Sequence, residues 1–353
     1  MTQKKPPLLS RRDALLTTAT AALSPLLPKE LHASAASAAS GPPEKPLRAA
    51  PTGPGHVVRV HMPNMRQGAF PHPQAARIMV EKAVATLSRQ SDSRAAWRTF
   101  VHPSERVMLK VNCLGTRMVS TMKEVTDAVI DGLQGAGVPP EHITVVDMFA
   151  SNMMGGRYEQ RTAKNRVRVL AHRDAPYESQ WVTAGKARVK FSTLFTESDV
   201  VINLPVIKDH DLSGVTCCMK NVTFGVVEKP HVNHNVINDA LCHIWALEAV
   251  RSRVRLNIID GSTILYDGGP KYNRAALVPH ESIYATTDPV AMDAIAHQHI
   301  AELRAQNGLR TLAEVKRPPM YIQQAADMGL GIADPDLIAL ETIELPPFSG
   351  AVS

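Results

Sequence analysis

The chain has 353 residues, of which 44% are hydrophobic and 20% are charged, so its length and composition suit a globular protein with a sizeable core. The formal net charge of +6 is drawn partly from a basic N-terminal segment, and aromatic residues make up only 5% of the chain. No basic tract is interleaved with aromatic residues, which argues against nucleic acid as a partner.

The first 35 residues have the features of a bacterial twin-arginine export signal. Residues 10–12 read Ser-Arg-Arg, residues 14–27 are mildly apolar, and residues 33–35 read Ala-Ser-Ala, an A-x-A cleavage site. A general secretory signal is the alternative, because Ala14 stands where the twin-arginine pattern prefers a bulky apolar residue. The apolar stretch is too short to form a stable membrane anchor. We therefore expect a contact with the twin-arginine translocase during export and a soluble, periplasmic or otherwise extracytoplasmic mature protein.

The mature chain is expected to begin with a linker. Residues 36–55 are rich in Pro, Gly, Ala and Ser, a composition typical of linkers. Residues 56–350 are predicted to form an α/β domain with a less regular middle part.

Short apolar runs alternate with amphipathic stretches along residues 56–350, which predicts a mainly parallel sheet flanked by helices. Strands are predicted at 56–62, 106–112, 142–148, 167–171, 187–191, 199–205, 255–261, 282–288 and 337–345. Helices are predicted at 73–90, 121–137, 235–252 and 289–308, and a further one from Asp211 or Ser213 to Gly225.

Four predicted strands end in a polar residue: Asn112, Asp147, Asn203 and Asp260. Taken singly, each is explained by the loop that begins where its strand ends. The carboxyl ends of parallel strands meet at one edge of a sheet, where α/β proteins bind their ligands. Together, the four residues favour a shared ligand cleft at that edge.

The stretch "LPVIKDHDLSGVTCCMKN", residues 204–221, follows one of these strand ends. Lys208 and His210 would stand beside the start of the predicted helix, an arrangement that suits a carboxylate or phosphate. Lys110 and Lys220 could add positive charge from neighbouring segments. The sequence thus predicts a small anionic ligand.

Two hypotheses for activity stay open. In the first, the protein is an enzyme in which Lys208 and Lys220 neutralise an anionic substrate while His210 or an aspartate such as Asp260 moves a proton. In the second, the same cleft captures an anion or a cofactor without turnover. Both hypotheses require the same charges.

The sequence favours a packing role for the adjacent cysteines over a redox or metal-binding role. Adjacent residues on a helix point about 100° apart, so Cys217 and Cys218 are predicted to pack that helix onto the sheet rather than form a redox pair. Cys113, at a strand end, is predicted to be the most exposed cysteine in the cleft. The chain has no C-x-x-C motif, so neither a ferredoxin-type cluster nor a four-cysteine zinc site is expected.

A metal site would need His210, Asp209 or Asp211, and further histidines from His231, His234 and His243. Histidines in loops are a weak signal for coordination. No metal ligand is therefore assigned, and the cofactor is left unknown.

Several segments resemble, in order, the domain of unknown function 362 family: "LKVN", "DVVINLPVIKDHDLSGVTCCMKN", "IIDG", "DGGP" and "TTDPVAMDAIA". The resemblance covers about residues 100–335 and implies an α/β fold. It also implies a functional cluster, which consists of Lys110, Asn112, Lys208, His210, Lys220, Asn221, Asp260, Asp288 and Asp293. Asn203, from the strand ends, joins these as a substrate-binding candidate.

Many relatives in that family carry an appended ferredoxin-like segment and are labelled iron–sulfur proteins. The cysteines of that segment are missing from this sequence. A metal- or iron–sulfur-associated redox protein is therefore kept only as a further alternative, and the family name records no established reaction.

Overall fold

The computed structural model describes residues 53–350. The predicted signal segment, its cleavage site and most of the predicted linker lie outside the described residues. Within residues 53–350, no helix combines the length and apolarity needed to cross a bilayer.

The strands are, in chain order, β1 (His56–His61), β2 (Arg66–Gln67), β3 (Phe70–Pro71), β4 (Val107–Val111), β5 (Ile143–Asp147), β6 (Arg168–Ala171), β7 (Val182–Ala184), β8 (Ala187–Val189), β9 (Val200–Leu204), β10 (Val206–His210), β11 (Gly214–Thr216), β12 (Val254–Leu265), β13 (Leu277–Thr286) and β14 (Ala339–Glu344). The α-helices are α1 (Pro73–Ser88), α2 (Ser93–Arg98), α3 (Lys123–Gly135), α4 (Ala150–Gly155), α5 (Thr193–Thr196), α6 (Cys218–Thr223), α7 (Ile237–Ala246), α8 (Glu248–Arg251), α9 (Pro289–Gln306) and α10 (Met320–Asp327). Short 3-10 segments cover Pro140–His142, His172–Asp174, Pro230–Val236, Arg274–Ala276 and Pro335–Leu337.

The main sheet is mostly parallel, with the order β14-β1-β13-β12-β9-β4-β5-β6. The pairings from β12 through β9, β4 and β5 to β6 are all parallel. Strand β13 is antiparallel to both of its neighbours, β1 and β12. Strand β10 pairs in parallel with the far half of β12, and β11 folds back on β10. This topology confirms the predicted mainly parallel α/β fold.

Helices cover both faces of the sheet. Leu109 of β4 packs in the same apolar cluster as α1, α2 and α3, whereas its neighbour Met108 packs with α6, α7 and α10. Successive side chains of a strand point to opposite faces, so burial of both faces requires uninterrupted apolar strands. This requirement accounts for runs such as "VMLKV" and "ITVVD", whose residues are all buried.

The prediction of a helix from Asp211 or Ser213 is wrong. Residues 206–210 and 214–216 form the antiparallel pair β10–β11, and α6 begins only at Cys218. Gly214 has a φ of 74°, outside the right-handed helical region, and β-branched residues such as Val215 favour strand. The extension of β12 to Leu265, beyond the predicted end of that strand, gives β10 a partner.

Two other predictions need smaller corrections. The predicted helix 235–252 is divided at Leu247, whose extended backbone separates α7 from α8. The predicted strand at 187–191 exists as β8 but pairs only with β7, outside the main sheet.

Candidate functional site

A cavity of about 380 Å³ opens beyond the carboxyl ends of β4 and β5. Its other walls come from the β10–β11 hairpin, from α6 and from the 3-10 segment Pro230–Val236. Five of the predicted catalytic or substrate-binding residues line it: Lys110, Asn112, His210, Lys220 and Asn221. Asp147, from the predicted strand ends, lines it as well. The cavity therefore lies at the sheet edge where a parallel α/β fold places its ligand site.

Buried amide side chains connect the strands beneath this cavity. Asn221 accepts a hydrogen bond from Asn112 at 3.1 Å and donates one to Asn203 at 2.8 Å. Asn203 in turn donates to Asn257 at 2.9 Å. Asn203 thus does not line the cavity; it lies behind the cavity wall and connects α6 to β12 through these hydrogen bonds.

Lys110 forms a buried ion pair with Asp147, with 2.6 Å between Nζ and Oδ1. The second carboxylate oxygen of Asp147 accepts a hydrogen bond from the backbone N–H of Cys113 at 2.7 Å. Burial alone would raise the pKa of Asp147, but Lys110 and the hydrogen bonds outweigh it and lower the pKa. Both charges are thus largely satisfied by each other.

Lys208 lies beside the cavity, with its ammonium group fully engaged. Its Nζ donates to Asn112 Oδ1 at 2.7 Å, to the Leu114 carbonyl at 2.5 Å and to the Val119 carbonyl at 3.4 Å. An ammonium has three hydrogens, so these neutral acceptors use its donor capacity. Burial lowers the pKa of Lys208 to about 7.

His210 is arranged as a hydrogen-bond donor toward the cavity. Its Nδ1 accepts hydrogen bonds from the backbone N–H groups of Leu212 at 3.1 Å and Ser213 at 3.3 Å. These two N–H donors assign the ring proton to Nε2, although Asp211 Oδ1 also lies 3.1 Å from Nδ1. Burial, followed by the nearby Lys220 and Lys208, lowers the pKa of His210 far below its usual value. The imidazole is thus neutral, which suits it to bind a ligand better than to take up a proton.

Lys220 is a partly buried cation that the cavity leaves available, whereas Arg173, which also lines the cavity, is exposed. It lines the cavity from α6, and its Nζ lies 4.6 Å from the centre of the Phe224 ring. Within residues 53–350 this ammonium contacts the Phe224 ring and has neither a hydrogen-bond nor an ion-pair partner. Burial lowers the pKa of Lys220 to about 8, an effect that the charge of Asp211 partly opposes.

Other lining residues were missed by the sequence reasoning. Thr216 has a buried hydroxyl with no hydrogen-bond partner among the described residues. Arg173 and Lys229 add positive charge, with Arg173 placed over the ring of Phe149 at 5.4 Å. Thr216 ends a short strand, Arg173 lies in a 3-10 segment and Lys229 precedes another, and no local pattern distinguishes them in the sequence.

Three predicted site residues lie outside the cavity and bind backbone groups. Asp260 accepts hydrogen bonds from the N–H groups of Met122 and Ser262, and with Lys208 it lines a separate space of about 10 Å³. Asp288 caps the start of α9 through two N–H groups and also binds the N–H of Gly55. Asp293 accepts from the N–H groups that open α6. The contacts of these carboxylates connect chain segments, and their predicted roles in catalysis or substrate binding stay predictions.

All four cysteines are buried and unpaired. The expectation that Cys113 is exposed in the cleft is wrong, because its side chain is 1% exposed. The loop after β4 turns it beneath the cavity, where it contacts Asp147 through its backbone.

Cys217, Cys218 and Asp293 place one donor atom each within 4.8 Å of one another, in a fully buried cluster. No other such group of three His, Cys, Asp or Glu side chains occurs in the described part of the chain. The carboxylate of Asp293 also binds the Tyr321 hydroxyl at 2.9 Å. His210, His231 and His234 all line the cavity, but their donor atoms do not form a group of this kind.

Comparisons with solved structures find distant likenesses. A lactate racemase apoprotein from Thermoanaerobacterium thermosaccharolyticum is 9% identical, with a TM-score of 0.40 over 69% of this chain and 56% of that one. A protein from Thermotoga maritima is 12% identical, with a TM-score of 0.42 over 68% of this chain and 60% of that one. The chain thus spans less than two thirds of the length of these structures, and no curated protein matches its sequence.

The family described as "Domain of unknown function (DUF362)" matches residues 107–298, a little over half of the chain. The matched segment begins at β4 and ends within α9, and it contains all of the residues that line the cavity. The chain belongs to this family of unknown function.

Proposed function

We propose that the cavity binds a small organic anion, a carboxylate or a phosphate ester, and that the protein does so outside the cytoplasm. The observation that carries the proposal is Lys220, a partly buried cation that lines the cavity without an acidic partner. Holding such a charge away from water is costly, and an anionic ligand would offset the cost.

The groups around Lys220 support the same ligand chemistry. His210 Nε2 and the Thr216 hydroxyl are hydrogen-bond donors at the cavity wall, and neither has a partner among the described residues. Lys110, Arg173 and Lys229 also line the cavity, against Asp147 and Asp211. The balance of charge is positive, as anion binding requires.

Of the two hypotheses for activity, the geometry favours binding through His210 over proton transfer by it. An imidazole whose Nδ1 is held by two N–H groups donates from Nε2. If the protein is an enzyme, Lys220 is the better candidate for acid–base chemistry, because its pKa of about 8 lies close to neutral pH.

Calorimetric titration of Lys220→Gln tests the proposal. We expect the wild-type protein to bind phenyl phosphate or hexanoate, and Lys220→Gln to bind them at least tenfold more weakly while it keeps the wild-type unfolding temperature. Lys82→Gln is the matched control, because Lys82 is exposed on α1 and does not line the cavity. Equal affinities for the wild type and Lys220→Gln would contradict the proposal.

A further inference from the structure

Exposed apolar side chains surround the anion-binding groups of the cavity. Leu114, Phe149 and Leu212 are 46%, 40% and 44% exposed, and all three line the cavity. Each belongs to a different loop, after β4, after β5 and between β10 and β11. Single exposed apolar residues are common, but a group of large ones around a concave site marks a binding surface.

The polar groups come from other parts of the lining. Lys220 projects from α6, Thr216 lies at the end of β11, and His210 lies at the end of β10. His210 and Thr216 are 4% and 3% exposed, so their positions are deeper than those of the three apolar side chains. The lining thus has a buried polar part and an exposed apolar part.

We infer that the ligand is amphipathic: a carboxylate or phosphate group attached to an aryl or alkyl body, with the anionic end at Lys220 and the hydrocarbon against Leu114, Phe149 and Leu212. This inference rests on the proposed anion binding. A volume of about 380 Å³ exceeds what an inorganic phosphate needs and falls within the range of pockets for small organic ligands.

The geometry at Phe149 and Phe224 agrees with this assignment. The Arg173 guanidinium lies over the Phe149 ring at 5.4 Å, while Phe224 is stacked on His234 at 5.5 Å and faces Lys220 at 4.6 Å. These contacts fix two aromatic rings in the cavity lining next to cations. A ligand with both a negative charge and an apolar body would contact the cations through its charge and the aromatic rings through its apolar body.

The test compares each anion with and without its hydrocarbon group, by calorimetry on the full chain lacking only its N-terminal signal. We expect phenyl phosphate to bind at least tenfold more tightly than inorganic phosphate, and hexanoate at least tenfold more tightly than acetate. Phe149→Ser and Leu212→Ser should each lower the affinity for phenyl phosphate and hexanoate about fivefold to tenfold and leave that for phosphate and acetate unchanged. Leu337→Ser is the control, because Leu337 is 65% exposed and does not line the cavity.

The outcomes separate this inference from the proposal on which it depends. If phosphate and acetate bind as tightly as their hydrocarbon derivatives, with Lys220→Gln weakening all four, the amphipathic ligand is refuted and anion binding stands. If hexanol binds as tightly as hexanoate and Lys220→Gln has no effect, both are refuted. Failure of all four anions to bind at millimolar concentration also refutes both.

Discussion

At the scale of single residues, the two lysines of the "IKDHDLSGVTCCMKN" stretch have different surroundings. Lys208 gives its three hydrogens to neutral oxygens of the loop after β4, whereas Lys220 faces the cavity without a hydrogen-bond acceptor among the described residues. Burial lowers the pKa of both lysines, to about 7 for Lys208 and about 8 for Lys220. These surroundings support the proposal that Lys220 is the ligand cation, and they place Lys208 in contact with the loop after β4.

Ligand affinity should fall above pH 8. The ammonium of Lys220 is present below its pKa of about 8 and is lost as the pH rises through that value. A carboxylate ligand such as hexanoate stays ionised throughout, so its affinity should be level from pH 6 to 7.5 and then fall by up to tenfold per pH unit. Calorimetry from pH 6 to 10 measures this.

Lys220→Arg is the control for the pH dependence, because arginine keeps its charge across the whole range. This variant should retain hexanoate binding and lose the decline above pH 8. A decline of the same size in Lys220→Arg would assign the titration to another group.

Lys208→Met should reduce stability more than it reduces binding. The change leaves Asn112 Oδ1 and the carbonyls of Leu114 and Val119 without their donor, and we expect a loss of roughly 2 to 3 kcal/mol in the free energy of unfolding. Urea denaturation measures this, with the exposed Lys82→Met expected within about 0.5 kcal/mol of wild type. If Lys208→Met is as stable as wild type but binds no anion, Lys208 is the ligand cation that the sequence analysis predicted.

At the scale of elements, the β10–β11 hairpin decides where the cavity donors lie. In this hairpin His210 pairs with Gly214, and Lys208 pairs with Thr216. Because Lys208 and His210 are two residues apart on one strand, their side chains point to the same face. His210 and Thr216 line the larger cavity, whereas Lys208 lines the smaller one. A helix through residues 213–216, as the sequence suggested, would not have produced this arrangement.

Gly214→Ala tests the importance of the hairpin. Gly214 has a φ of 74°, and a Cβ there would lie 2.4 Å from the carbonyl oxygen of Arg317. Gly308→Ala is a matched control, because Gly308 has a similar φ of 66° but open space around its Cβ position. We expect a loss of about 1 kcal/mol for Gly308→Ala from backbone strain alone, and a clearly larger loss for Gly214→Ala. If urea denaturation gives equal losses of unfolding free energy for the two variants, the backbone near Arg317 moves aside for the added Cβ at no cost.

At the scale of the whole molecule, the sheet brings distant segments to one edge. The cavity takes residues from β4, β5, β10, β11 and α6, and the amide chain Asn112–Asn221–Asn203–Asn257 runs across three neighbouring strands beneath it. Buried networks of this kind are rigid when every member is satisfied. The site is therefore fixed by the sheet, while its apolar part lies on loops.

At the same scale, the proposed location outside the cytoplasm depends on the first 35 residues, which lie outside the described part. Changing Arg11 and Arg12 to Lys should leave the unprocessed precursor in the cytoplasm, because the twin-arginine route reads the paired arginines. Cell fractionation with immunoblotting of precursor and processed forms measures this. Unimpeded export of the variant would assign the protein to the general secretory route.

The sequence by itself determined the elements with strong local patterns. Apolar runs such as "VMLKV" and "ITVVD" identify strands because both faces of the sheet are covered, and the polar residues Asn112 and Asp147 at their ends mark the sheet edge where the cavity opens. The positions of Lys110, Asn112, His210, Lys220 and Asn221 in the cavity follow from that pattern and from the family resemblance. The helix predicted from Asp211 or Ser213 to Gly225 begins only at Cys218, because β10 pairs with the distant extension of β12 and β11 pairs with β10.

Only the tertiary structure decided which charged groups are satisfied. The partners of Lys208 lie 89 to 96 residues away in the chain, and no local pattern shows that they use its hydrogens. Asp260, Asp288 and Asp293 likewise bind backbone N–H groups that only folding brings to them. Residue type determines that a side chain can carry charge, whereas long-range contacts determine whether that charge is paired, and within residues 53–350 the charge of Lys220 is not.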